Sequence, residues 1–154
     1  MRVSTRGRYA LRAMLDLALH EGNGPVPRQT IVARQGFSSA YVAHLFRRLR
    51  AAGLVKGVKG PGGGYVLARP AASISAGDVV RAVEGPIAVV RCASPGGERF
   101  CARTEDCVTR TVWQRLSATV AGFLDGITLQ DLCNDAQTAQ PFHHKEDRED
   151  GANL

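Results

Sequence analysis

Apolar positions recur at helical spacing along most of this chain, interrupted by one pair of short β-prone runs and by one long irregular stretch. Leu11, Met14, Leu15 and Ala18 fall at i, i+3, i+4 and i+7, which predicts a helix over residues 5–20. It ends at Gly22-Asn23-Gly24-Pro25, a cluster of helix breakers. Pro27 suits the first turn of a short second helix, over about 28–35, where its missing N–H costs nothing. Gly36 fits the left-handed position that closes such a helix. Ser38 or Ser39 can cap a third, over 39–52. On its wheel Tyr41, Val42, Leu45, Phe46, Leu49 and Ala52 share one arc, and Ala40, Ala43, His44, Arg47 and Arg50 share the opposite one. Residues 54–59 and 65–67 then flank Gly60-Pro61-Gly62-Gly63-Gly64, which predicts a β-hairpin with a glycine-rich tip.

Beyond the hairpin, Ser75-Ala76-Gly77-Asp78 has the spacing of a reciprocal cap, with Val79, Val80 and Val83 as the buried face of a fourth helix that ends at Gly85-Pro86. Helical spacing returns from about residue 104 to 126, where Trp113, Leu116, Val120, Phe123 and Ile127 alternate by 3 and 4 as a heptad seam. Two heptads cannot hold a coiled coil alone, but they suffice for a dimer interface supported elsewhere, with Val112 and Leu124 widening the stripe toward the chain's own domain. Leu129, Leu132 and Cys133 continue at helical spacing, which makes Cys133 a core thiol. After Asn134 the pattern dissolves, and 137–154, with His143-His144 and a mixed charge run, is expected to be a disordered tail. The expected organisation is an N-terminal unit of helices and hairpin over 1–84, a cysteine loop over 85–107, a long helix with a short terminal one over 104–135, and a tail over 136–154.

Composition sharpens this outline. The chain has 154 residues, 44% of them hydrophobic, enough for a real core but with no apolar run able to span a bilayer. The basic start of the chain lacks the unbroken apolar block of a signal peptide, since Arg12 and Asp16 interrupt it, so a cytoplasmic protein is expected. Residues 1–70 carry 12 Lys/Arg against 2 Asp/Glu, whereas 71–154 carry 8 against 12. A basic half joined to an acidic half suits a polyanion-binding module with a separate second function.

A short helix, a turn at Gly36-Phe37-Ser38 and a basic helix form a helix-turn-helix, and the hairpin behind it is a wing. Small side chains on the exposed arc let the backbone sit deep in a major groove, with arginines reaching guanine edges or phosphates. The glycine-rich tip is not a nucleotide loop, because no helix and no Lys-Ser/Thr ending follow it. Cys92, Cys101 and Cys107 lie in a polar stretch at C-x8-C-x5-C, unlike isolated core thiols and unlike the short knuckles of zinc fingers. Loose spacing in an irregular loop suits an iron–sulfur cluster first, a thiol redox switch second and zinc third. No His/Asp pairing, cofactor loop or paired carboxylates point to an enzyme.

Gly7-Arg8-Tyr9-Ala10, Ala13-Met14-Leu15-Asp16, Tyr41-Val42-Ala43-His44-Leu45-Phe46, Gly60-Pro61-Gly62-Gly63-Gly64-Tyr65, and Cys107-Val108-Thr109-Arg110 ahead of Trp113 resemble the IscR/NsrR-type family of iron–sulfur winged helix-turn-helix regulators, over residues 1 to about 135. The resemblance implies a mainly α fold with a small β-hairpin wing and a long dimerisation helix. It implies a homodimer on a pseudo-palindromic double-stranded DNA operator, contacted by Arg2, Ser38, Ser39, Tyr41, His44, Arg47, Lys59, Gly60, Gly63 and Tyr65. It implies that Cys92, Cys101 and Cys107 ligate an iron–sulfur cluster, of a two-iron or four-iron form left open. Where the cluster-assembly regulators of the family have a histidine three residues past the last cysteine, this chain has Arg110, a poor ligand. Asp106, Glu105, a tail histidine, a residue of a second subunit or a small molecule remain as fourth ligands. The expected function is a transcription regulator whose DNA affinity follows the state of that cluster. The rival readings keep the fold with a thiol or zinc switch, or make it an adaptor in iron–sulfur assembly.

Overall fold

The recognition unit is assembled around α1 (Thr5–His20), which is capped by Ser4, whose Oγ accepts from the Arg6 N–H at 3.1 Å. The computed structural model describes residues 4–139, without the side chains of Glu98 and Arg99. Arg2, His143 and His144 lie outside the described residues. The buried face of α1 is Gly7, Ala10, Ala13, Met14 and Leu17, rotated from the expected stripe, of which only Met14 is fully buried. The reason is that α1 is central: it packs on α4 and α6 at once, and Ala10 and Ala13 permit that close approach. Leu11 and Ala18 sit half-buried at the margin of the same core.

The helix-turn-helix is α2 (Arg28–Gln35) and α3 (Ser39–Ala51). Pro27 is the N-cap of α2 and not its first helical residue, and Gly36 closes it with φ 68°. Ser38 caps α3, accepting from the Tyr41 N–H at 3.2 Å. Val42, Leu45, Phe46 and Leu49 are fully buried, as the wheel predicts, and their arc fixes which side faces out. β1 (Val55–Val58) pairs antiparallel with β2 (Gly64–Leu67), from Val55 opposite Leu67 to Val58 opposite Gly64. Val26 adds an isolated bridge to Tyr65, with N···O distances of 2.9 Å both ways, and anchors the wing to the segment before α2.

α4 (Ala76–Glu84) opens on the expected reciprocal cap between Ser75 and Asp78. α5 (Val108–Asp125) begins four residues later than its periodicity suggests. Residues 101–107 form turns instead, with the Thr104 N–H and hydroxyl both donating to the Cys101 carbonyl. α6 (Leu129–Thr138) runs past the expected boundary, held by a second reciprocal cap between Thr128 and Asp131. Leu129 and Cys133 bury against the core, and burial pushes the Cys133 thiol pKa up. Among the described residues no helix is long and apolar enough to cross a membrane.

Candidate nucleic-acid interface and cysteine loop

Four core residues on one side of α3 leave Ala40, His44 and Arg47 turned outward or half outward. Ser38 and Ser39 sit at its start, where the cap exposes backbone N–H groups. Arg47 Nη2 lies 3.0 Å from His44 Nδ1. Tyr41 is half-buried, edge-on to Phe37 and to Tyr9. The guanidinium of Arg12 stands over the Tyr9 and Phe37 rings at 5.7 and 5.2 Å, so α1 adds a cation beside the start of α3.

The wing tip is built for close approach. Gly60 and Gly62 have φ of 93° and 73°, and a side chain at Gly63 would strike the Val58 and Gly60 carbonyls. Lys59 is exposed beside it. A groove of about 360 Å³ runs between the start of α2, the end of α3 and the wing, bounded by Arg28, Arg50, Gly57, Lys59, Gly63 and Tyr65. Thus Lys59, Gly63 and Tyr65 come together with Arg50 and with Arg28, which the sequence reading did not single out. The Tyr65 ring is stacked on Phe46 with centroids 4.2 Å apart, so the side chain fixes the wing to α3 while edging the groove. Arg28 was legible only as a helix-starting residue. The pairing of Val26 with Tyr65, which is long-range, puts it on the groove.

The cysteines occupy the segment between α4 and α5. Cys92 lies in a 3-10 turn (Arg91–Ala93), Cys101 is exposed, and Cys107 is the N-cap of α5. None of the four cysteines is in a disulfide. The Thr109 hydroxyl, 3.2 Å from Sγ, the Arg110 and Thr109 backbone and the charge of Arg103 together hold the Cys107 thiol below its ordinary pKa. Arg110 occupies the position three beyond it, and its Nε donates to the Cys92 carbonyl at 3.0 Å, tying the first cysteine to the first turn of α5. Among the described residues no three His, Cys, Asp or Glu side chains converge closely enough to hold a metal ion. The donor set fits a thiolate-bound iron site in kind: three thiols on one irregular loop, one of them acidified. It is not gathered into a formed cage.

The ends of this segment are fastened to the helices around it. The Val89 N–H donates to Ser117 Oγ of α5 at 3.1 Å. The Val83 carbonyl, at the end of α4, accepts from Arg6 of α1 at 3.1 Å and from Arg48 of α3 at 3.0 Å. Arg81 of α4 grips Asp125 of α5 through two N–H···O contacts of 2.7 and 2.6 Å.

A family model described as an iron-dependent transcriptional regulator matches residues 3–135. The chain is similar to the HTH-type transcriptional regulator IscR of Klebsiella pneumoniae, 46% identical over 137 residues, covering 89% of this chain and 82% of the relative. It is 47% identical over 134 residues to that of Serratia proteamaculans, covering 87% and 80%. Among solved structures, the T. potens IscR superposes with a TM-score of 0.72 at 40% identity, over 92% of this chain and 95% of that one. CymR, the global cysteine regulator of B. subtilis, gives 0.73 at 37% identity, over 88% and 98%.

Proposed function

This chain belongs to the Rrf2 family of iron-dependent transcriptional regulators, and from that premise we propose that it binds operator DNA as a homodimer and that its three loop cysteines set its affinity. It is a DNA-binding transcription regulator and not an enzyme. The observation that carries the interface is the groove between the start of α2, the end of α3 and the wing, lined by Arg28, Arg50 and Lys59, with Arg47 exposed one turn earlier on α3. Ser38, Ser39, Tyr41, His44 and Arg47 face the major groove, and Lys59, Gly60 and Gly63 press on the sugar-phosphate or the minor groove beside it. Arg2 is a DNA contact by resemblance alone. The operator is pseudo-palindromic, as two symmetry-related helices require, and the protein works in the cytoplasm, where that DNA is.

Cys92, Cys101 and Cys107 would hold an iron–sulfur cluster, which supplies a redox- and iron-sensitive constraint on the loop when bound. This chain's own residues do the transmitting. Arg110 ties Cys92 to α5, Ser117 holds residue 89, and Arg6 with Arg48 links the end of α4 to α1 and α3. A change in loop packing therefore reaches the recognition helix through bonded groups, and about 1–3 kcal/mol of coupling makes a useful switch. Arg110 carries no ligand function, so the fourth ligand comes from elsewhere. A thiol switch is the second reading, favoured by the exposed Cys101 and the acidified Cys107.

The test is anaerobic purification with iron and sulfide assay, followed by DNA titration over a range of salt. Bound iron and sulfide that disappear in Cys101→Ala support the cluster. Colourless, iron-free protein under reconstituting conditions would rule out the cluster and leave the thiol and zinc readings, with DNA binding intact. Log affinity should fall steeply with log salt, with about 6–10 phosphates neutralised per dimer. Arg47→Ala and Lys59→Ala should each weaken binding, whereas an adaptor role predicts no effect from either.

A further inference from the structure

The recognition helix offers the major groove hydrogen-bond donors with almost nothing to accept in return, and this constrains the base it reads. α3 has the sequence SAYVAHLFRRLRA and contains no Asp, Glu, Asn or Gln. It therefore has no carboxylate to accept from the cytosine N4 amino group and no amide to pair both ways with adenine. Its outward polar groups include Ser39 near the N-terminus, His44 and Arg47 one turn apart and Arg50 toward the wing, while Arg48 is engaged by the Val83 carbonyl.

The 3.0 Å contact between Arg47 Nη2 and His44 Nδ1 decides what His44 presents. A guanidinium can only donate, so in this contact Nδ1 is the accepting nitrogen. With Nδ1 accepting, Nε2 is the ring nitrogen left to donate. Arg47 keeps four further N–H groups on its planar fork, in the geometry that pairs with two adjacent acceptors. Ala40 and Ala43, one turn apart on the same side, add no bulk to hold this pair away from base edges. Only guanine sets two acceptors, O6 and N7, side by side in the major groove.

We propose that His44 and Arg47, held by that contact as a joint donor pair, make guanine the base read by this recognition helix. The inference rests on the DNA-binding reading above and adds the base specificity to it. His44 is the less obvious member, since in isolation its ring could accept as readily as donate.

The experiment uses the full chain and a pool of duplexes with a randomised central region, selected by binding, followed by single guanine-to-7-deazaguanine replacements in the enriched duplex. A symmetric pair of guanines should be enriched. Removing the N7 acceptor at each should weaken binding by about 5- to 150-fold, while 7-deazaguanine elsewhere changes nothing. His44→Gln, whose amide both donates and accepts, should move the preference at its position toward adenine. Arg47→Lys should keep the salt slope yet lose discrimination between guanine and adenine. Thermal unfolding of each variant, expected to match the parent because both side chains lie off the buried arc, shows that folding is intact.

Enrichment of A·T pairs alone, or binding indifferent to 7-deazaguanine, would overturn the guanine assignment and leave DNA binding standing, with Arg47 then a phosphate contact. Failure to retain any duplex at low salt would overturn both.

Discussion

Asp16 interrupts the apolar run of the first helix in the sequence, and the folded chain turns that interruption into a joint. Its carboxylate is buried at 4% exposure, with Arg34 Nε and Nη2 of α2 each donating to it at 2.8 Å and Gln35 Nε2 at 3.2 Å. A fork-to-carboxylate pair of this kind fixes the angle at which α2 meets α1. Removing one partner leaves the other charge under-solvated, so Asp16→Ala should cost about 3 kcal/mol. Urea unfolding checks this, and a loss under about 0.5 kcal/mol would mean that water replaces the pair at no cost. The cysteines differ at the same scale. Cys107, acidified at the start of α5, should react with iodoacetamide at neutral pH faster than Cys133, which is buried and has a raised thiol pKa. Peptide mapping of briefly alkylated, metal-free protein reads that order directly.

Between elements, the joint of Arg81 with Asp125 sets α4 against α5. The Arg81 hydrogen bonds and charge, helped by Ser75, hold the Asp125 carboxyl pKa below its ordinary value. A lowered folded-state pKa means that the pair contributes stability above the ordinary carboxylate value of about 3.9, and the contribution is lost as pH falls through the lowered one. Parent and Asp125→Asn should therefore differ most near neutrality, by less than about 1 kcal/mol for so exposed a pair, and converge in acid. Thermal unfolding from pH 7 down to pH 3 reads this, and a gap that persists in acid would contradict it. The elements were legible in the sequence to different degrees. α3 could be read because one dry side imposes a clean period on it. α1 could not be oriented, because a helix packed on two sides buries small residues that no amphipathic stripe reveals. The Thr128–Asp131 cap was readable as T-x-x-D but sits in a stretch whose apolar signal fades. The late start of α5 reflects local competition, since Thr104 bonds back to Cys101 and keeps that segment in turns. The groove is the least local feature of all, and no sequence window contains both Arg28 and Lys59.

For the molecule as a whole, the unresolved demand is on α5. Ser117 is the one buried residue of α5, whereas Val112 is 58% exposed, Phe123 68%, and Trp113 and Leu116 40% each. Such residues along one helix are too costly to leave wetted, at roughly 1.5–3 kcal/mol for each large side chain that could be buried. Beside them lies an apolar cavity of about 360 Å³, between α1, α4 and α5 and lined by Leu11, Val80, Ile87, Val89, Val120 and Leu124. Trp113, Leu116, Val120 and Phe123 repeat at 3, 4 and 3 residues, so a second α5 laid across the first can cover the seam along its length. In the homodimer proposed above, Leu116→Glu or Phe123→Glu should place a charge inside that contact and shift the protein from dimer to monomer in sedimentation equilibrium. Both side chains are exposed in the single chain, so its own thermal unfolding should change little. DNA binding should fall far more steeply, because two half-sites about one helical turn apart must then be engaged by separate molecules without the gain in effective concentration that linkage provides. A Leu116→Glu protein that stays dimeric would move the twofold contact away from this seam. One that becomes monomeric yet binds the full operator undiminished would show that each recognition helix works alone.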